Sequence, residues 1–393
     1  MGVFISSMSV TRSTASESSS VPVRSTFILV VGAPGDKEYG SNFLRQAELW
    51  QNACSKVDCR KVVIGLNDRE SAAEEQSTQA TKQAQKQSNS PAVKTTNTPN
   101  ITDPETTTTI PSTVFSLSSS AGAGRGEEAA TNSNTDLALL QRALEQEPKE
   151  GPAELWVVLI GHGTFDSKEA RFNLRGPDVS ASDLDVWLKP FHRPIVIINT
   201  ASSSSPFLNK LSATNRVIIT ATRSGNEQNF ARFGQYFAEA ITSTNEADLD
   251  KDGQVSVLES FLIASRKAAE FYKLEGRLVT EHALIDDNGD GLGTPADWFR
   301  GLRAVKKPQG KTIVDGLLAQ QICIVPSREE ASLSPEQRAK RDGLERQILL
   351  FREKKSSMPE ADYYGQLEKL LLDYARFYQS LPGVKGERAA PDS

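Results

Sequence analysis

"IVIINTASSSSPFL" (residues 195–208) decides the fold. Ile195 to Ile198 form an unbroken apolar run, the mark of a strand buried on both faces rather than one that alternates between core and solvent. Asn199, Thr200 and a row of four serines then end it. Working outward, the same kind of run recurs as "TFILVVGAPG" (26–35), "CRKVVIGLN" (59–67), "ELWVVLIG" (154–161) and "RVIITAT" (216–222). Helical patterns separate these runs, at "GSNFLRQAELWQNA" (40–53), "TDLALLQRALEQE" (135–147), "SASDLDVWL" (180–188), a short stretch near 206–212, and "QNFARFGQYFAEAI" (228–241). Apolar strands alternating with helices predict an α/β fold with a mainly parallel sheet of about six strands, helices on both faces.

The chain has 393 residues and is nearly charge-balanced, with 45 Lys and Arg against 50 Asp and Glu. That balance argues against a nucleic-acid partner. Three cysteines, Cys54, Cys59 and Cys323, are too few for a thiolate zinc cluster and cannot all pair. No apolar run is long enough for a membrane span. Residues 1–25 and 67–133 are rich in small polar residues and too poor in apolar ones to offset the entropy of ordering, so they are expected to be disordered, as is the tail 383–393. The α/β domain is then expected to comprise 26–66 and 134–326, interrupted by the 67–133 insertion.

Ligands of parallel sheets bind beyond the carboxyl ends of the strands, so the residues directly after each run carry the functional reading. "GAPGDKEYGS" (32–41) is glycine-rich but lacks the Lys-Ser/Thr of a phosphate-binding loop. No Gly-x-Ser-x-Gly elbow occurs. After the strand at 154–161 comes Gly161-His162-Gly163, where an imidazole sits between residues that let backbone approach closely. After the next strand comes Ala201-Ser202.

In these two tips the chain resembles the caspase and legumain class of cysteine peptidases, which place a His-Gly pair after one strand and an Ala-Cys nucleophile after the next. "VVLIGHG" matches the first motif, and "IINTASSSS" matches the second except that Ser202 stands where the family has its thiol. The resemblance implies a caspase-like sheet, His162 and Ser202 as the catalytic positions, and backbone amides near Gly163 and Ser202 forming an oxyanion hole. A hydroxyl is far less acidic than a thiol and needs a general base in hydrogen-bond contact, usually one oriented by a third group. Asp166 is the acidic residue nearest His162 in sequence. The expectation is a peptidase-like protein that is degenerate at Ser202. An active serine-type hydrolase using Ser202 and His162, and a calcium-dependent binding module, are the alternatives.

Calcium enters through "DLDKDGQVSVLE" (248–259). Asp248, Asp250 and Asp252 alternate, Gly253 permits the turn, Gln254 offers its carbonyl, and Glu259 stands at position twelve of an EF-hand loop. "DDNGDGLGTPAD" (286–297) repeats the pattern in part, with Asp286, Asn288 and Asp290 before Gly291 and Asp297 at position twelve. Thr294-Pro295-Ala296-Asp297 also reads as a capped helix start. Calcium is the expected cofactor, in a bracing role. Such loops fill most readily outside the cytosol, which points to an exported protein.

The C-terminal part, 327–382, reads as a helical hairpin. Ser334, Pro335 and Gln337 open one helix running to about 355, and "YYGQLEKLLLDYARFYQSL" (363–381) carries a stripe of Leu367, Leu370, Leu371, Tyr374 and Phe377 or Tyr378. That stripe suits the chain's own core, a second copy or a partner protein. A peptide or protein ligand is expected.

Overall fold

The computed structural model describes residues 24–66, 134–308 and 313–381. The expected disordered segments 67–133 and 383–393, and nearly all of 1–25, lie outside the described residues. The chain divides into two units, Met1–Gly65 with Asn134–Ser393, and Leu66–Ser133. The first carries every element named below.

Its strands are β1 (Thr26–Val31), β2 (Arg60–Ile64), β3 (Leu155–Ile160), β4 (Gly163–Phe165), β5 (Ala170–Phe172), β6 (Val179–Ser180), β7 (Ile195–Asn199), β8 (Arg216–Thr220), β9 (Leu284–Asp286) and β10 (Thr294–Pro295), with a small β11 (Phe299–Arg300) and β12 (Arg303–Ala304) pair. The helices are α1 (Lys37–Cys54), α2 (Asp136–Gln146), α3 (Ala181–Leu188), α4 (Ser205–Leu211), α5 (Phe233–Thr242), α6 (Val257–Leu274), α7 (Leu317–Gln321), α8 (Pro335–Arg352) and α9 (Glu360–Ser380). Single turns lie at Thr244–Ala247 and Arg328–Ala331.

The central sheet has seven strands in the order β10-β9-β8-β7-β3-β1-β2. The five strands read from their apolar runs are parallel, and the antiparallel β9 and β10 extend one edge. β9 is short and ends in Asp286, so no apolar run announced it. Side chains alternate between two buried layers. Ile28, Val30, Val157, Leu159, Ile197 and Ile218 join α2, α3 and α4 on one face. On the other, Phe27 stacks on Trp156 at 5.0 Å, and Trp50 of α1 stacks on Phe237 of α5 at 5.9 Å.

α5 begins at Phe233 rather than at 228, and the reason is a carboxylate. Glu281 accepts hydrogen bonds from the backbone N–H groups of Arg232 and Phe233 and from the Tyr272 hydroxyl, fixing the helix start there. Phe230 therefore belongs to a loop, not to the helical stripe. Burial pushes the Glu281 carboxyl above its ordinary range despite those donors.

The hairpin packs antiparallel, with Phe351 stacked on Tyr363 at 5.3 Å and the Tyr374 hydroxyl donating to Glu345 at 2.8 Å. Tyr363 and Phe377 are buried, but Leu371 is 47% exposed and lies off the packed stripe. α8 is tied to the α/β body by Gln321, whose amide donates to the Asp342 carbonyl and the Glu345 carboxylate.

Candidate functional site

β3 and β7 are hydrogen-bonded neighbours, with Leu159 opposite Asn199, so the two tips singled out by sequence lie side by side at the carboxyl edge of the sheet. β1 sends the chain one way to β2, and β3 lies on its other side, so the topological switch point falls between β1 and β3, beside the His162 tip.

His162 stands between β3 and β4, its backbone carbonyl accepting from Asn173 N–H at 3.0 Å. Its ring meets three aromatic rings edge-on, with centroids at 4.8 Å for Tyr39, 5.2 Å for Phe43 and 6.1 Å for Phe230. Nε2 lies 3.1 Å from the Pro34 carbonyl oxygen. A carbonyl only accepts, so Nε2 carries the proton in that contact and offers no lone pair there. Asp166 does not orient the imidazole. It is exposed, and its Oδ1 accepts from the N–H groups of Lys168 and Glu169, which hold its carboxyl below the ordinary range.

Ser202 is 4% exposed and committed to Gly163 in both directions. Its hydroxyl donates to the Gly163 carbonyl at 3.0 Å and accepts from the Gly163 N–H at 3.3 Å. Among the described residues no hydrogen bond joins Ser202 to His162. The Gly163 N–H, expected in an oxyanion hole, is thereby occupied. Glycine is required at 163 because a Cβ there would lie 2.3 Å from the Ser202 carbonyl oxygen.

Ser203 and Ser204 differ in what their hydroxyls meet. Ser204 is the N-cap residue but makes no side-chain cap bond; its hydroxyl pairs with that of Thr222 beyond β8 at 3.1 Å. Ser203 takes a left-handed backbone (φ 54°), donates its N–H to the Glu227 carbonyl, and leaves its own buried hydroxyl without a partner. The hydroxyls of Ser202 and Ser204 thus lace the tips of β3, β7 and β8 together.

The first acidic loop precedes α6. One carboxylate oxygen each from Asp248, Asp250 and Asp252 lie within 4.8 Å of one another, a spread that calcium–oxygen bonds of about 2.3–2.6 Å can bridge. Asp248 accepts from the N–H groups of Asp252 and Gly253, and Gly253 takes φ 86° at the turn. Burial, then the charges of Asp252, Glu259 and Asp248, push the Asp250 carboxyl up to about 6. Glu259 stands outside the cluster. Its Oε2 closes a capping box with Ser256, and its Oε1 accepts from Leu249 N–H at 2.6 Å and Asp250 N–H at 3.4 Å. The Gln254 side-chain carbonyl accepts from Ser327 N–H and the Cys323 thiol, and its amide donates to Asp252.

The second loop joins β9 to β10. Asp286 accepts from Gly289 N–H at 3.0 Å and Gly291 N–H at 2.9 Å, Asn288 from Asp290 N–H at 2.8 Å, and Asp290 from Leu292 N–H at 2.7 Å. Thr294 and Pro295 are in β10, so the capped helix start is replaced by a strand leading into a single 3-10 turn, Ala296–Trp298. Asp297 is exposed on that turn. Two residues not singled out by sequence, Asp287 and Asp315, are buried beside the loop. Asp287 caps α7 through the N–H groups of Gly316, Leu318 and Ala319. Asp315 has its carboxyl pushed up to about 8 by burial and by the Asp287 charge.

No family model matches the chain, and no curated protein matches it. Among solved structures, the crystal structure of the Drosophila initiator caspase Dronc is similar at 9% identity, covering 69% of this chain and 82% of that one, with a TM-score of 0.31.

Proposed function

We propose that the chain is a catalytically silent, peptidase-like protein of the caspase and legumain type, braced by calcium, whose strand tips no longer perform acyl transfer. One observation carries this reading. The Ser202 hydroxyl is buried and holds Gly163 at both its N–H and its C=O, and among the described residues it makes no hydrogen bond to His162. Serine catalysis needs an imidazole lone pair against the hydroxyl and a free donor for the oxyanion. Here the hydroxyl and the Gly163 donor are engaged with each other, and among the described residues no hydrogen bond joins either ring nitrogen of His162 to Ser202. The small polar side chain does at position 202 what a structural hydroxyl does: it pins β7 to the segment that follows β3.

Calcium in the Asp248, Asp250 and Asp252 loop neutralises three carboxylates held close together. The loop leads directly into α6, which packs on α5, and so would anchor one helical face of the sheet. Gln254 and Glu259 already organise the loop through hydrogen bonds.

The test is turnover. The full chain is incubated with fluorogenic peptide and ester libraries, with and without calcium, beside His162→Ala and Ser202→Ala. The expected result is no hydrolysis that His162→Ala removes. Hydrolysis that depends on both His162 and Ser202 would make the serine-hydrolase reading the correct one.

A further inference from the structure

The two acidic loops correspond position by position, and the correspondence extends to a residue outside the second motif. In both, the fourth and sixth positions are left-handed: Lys251 at φ 64° and Gly253 at 86°, Gly289 at 75° and Gly291 at 72°. In both, the first aspartate gathers loop N–H groups with its two oxygens, and the fifth accepts from the seventh N–H. In the first loop the closing carboxylate is Glu259, which accepts from the N–H groups of positions two and three and from the hydroxyl of position nine, Ser256.

In the second loop those same three donors are satisfied by Asp315. Its Oδ1 accepts from Asp287 N–H at 3.0 Å and Asn288 N–H at 3.2 Å, positions two and three. Its Oδ2 accepts from the hydroxyl of Thr294, position nine, at 2.5 Å. The cause is the conformation after position nine. A helix rises about 1.5 Å per residue and curls residue twelve back over the loop, whereas a strand advances about 3.3 Å per residue and carries it away. The first loop runs into α6; the second runs into β10, which leaves Asp297 exposed.

An independent feature points to a ligand in the second loop. Asp290 Oδ2 is out of contact with solvent and accepts from no donor. A buried carboxylate oxygen without a donor is costly unless a cation meets it. It occupies the fifth position, where an EF-hand loop supplies a metal oxygen.

We infer that the second loop is a divalent-cation site whose closing carboxylate is Asp315, supplied from outside the twelve-residue motif, and that Asp297 takes no part. The inference rests on the calcium reading of the first loop. In neither loop does the closing carboxylate join the inner cluster; among the described residues that cluster is Asp248, Asp250 and Asp252 alone. Binding therefore draws Asp315 inward from its N–H partners, as it draws Glu259.

The experiment is calorimetric titration of chelator-stripped full chain with calcium chloride. The wild type is expected to take up two ions, Asp248→Asn one, Asp315→Asn one and Asp297→Asn two. The site lost in Asp315→Asn should weaken at least tenfold, and Asp290→Asn should lose the same ion. Asp297 is exposed, so Asp297→Asn folds whatever becomes of Asp315→Asn. Loss of an ion in Asp297→Asn overturns the assignment. A wild type that binds one ion, removed by Asp248→Asn, overturns the second site and leaves the first standing. Uptake of no ion overturns the calcium reading itself.

Discussion

The hydroxyl of Ser202 holds a donor and an acceptor of one glycine, and that double bond sets the cost of removing it. Ser202→Ala removes the hydroxyl that both accepts from and donates to the half-buried Gly163 backbone, so urea unfolding should show a loss of about 1–3 kcal/mol. Hydrolytic behaviour should not change, because none is expected to begin with. Gly163→Ala should cost more, since its Cβ would meet backbone at 2.3 Å and force β3 and β7 apart at their tips. Glu281 gives a prediction in pH. Its folded-state pKa is raised, first by burial, above the ordinary 4.5, so its contribution is fully present below that value and is lost as pH rises through the raised one. Plotting the melting temperature against pH for Glu281→Gln should give a flatter profile over that window than the wild type; an unchanged slope would mean that Glu281 does not titrate there. The sequence located His162 and Ser202 because both directly follow apolar runs. Their partners, Pro34 and Gly163, are backbone groups, and no residue type announces a carbonyl.

At the scale of elements, continuous apolar runs marked the five parallel strands, because a strand covered on both faces has no polar positions to confuse its period. β9 and β10 were not legible, being short edge strands whose sequence is that of an acidic loop. The start of α5 was misplaced for a related reason. Its cap, Glu281, lies 48 residues from Phe233, so no local pattern holds both. The first acidic loop was legible because its ligand set is contiguous. Asp315 was not, since it reaches Asp287 from 28 residues downstream. If calcium fills the first loop, Asp248→Asn should remove its share of calcium-dependent stabilisation. At about 100 times Kd a single ion contributes about 2.7 kcal/mol, or roughly 5–10 °C in Tm for a domain of this size. An equal chelator-induced shift in wild type and variant would remove that loop from the account.

Across the whole unit, one segment ties the acidic loops to each other and to the C-terminal hairpin. It begins at Asp315 against the second loop, passes through α7, and meets the first loop where Val257 N–H donates to the Ile322 carbonyl at 2.8 Å and Ser256 pairs with Cys323. Ser327 then binds Gln254, and Gln321 binds α8. Stripping the metal should therefore loosen α7 and the α8–α9 hairpin together, seen as faster amide exchange in residues 315–327 and along α8 in the presence of chelator. Exchange that quickens only within 248–259 would show the loops to be independent. At the strand tips the most direct measurement is covalent. The full chain is treated with a fluorophosphonate, which traps only a hydroxyl activated by a base, and digested peptides are mapped by mass. Ser202 is expected to stay unmodified, alike in wild type and in His162→Ala, if the tips are catalytically silent. An adduct on Ser202 in the wild type that disappears in His162→Ala would contradict catalytic silence.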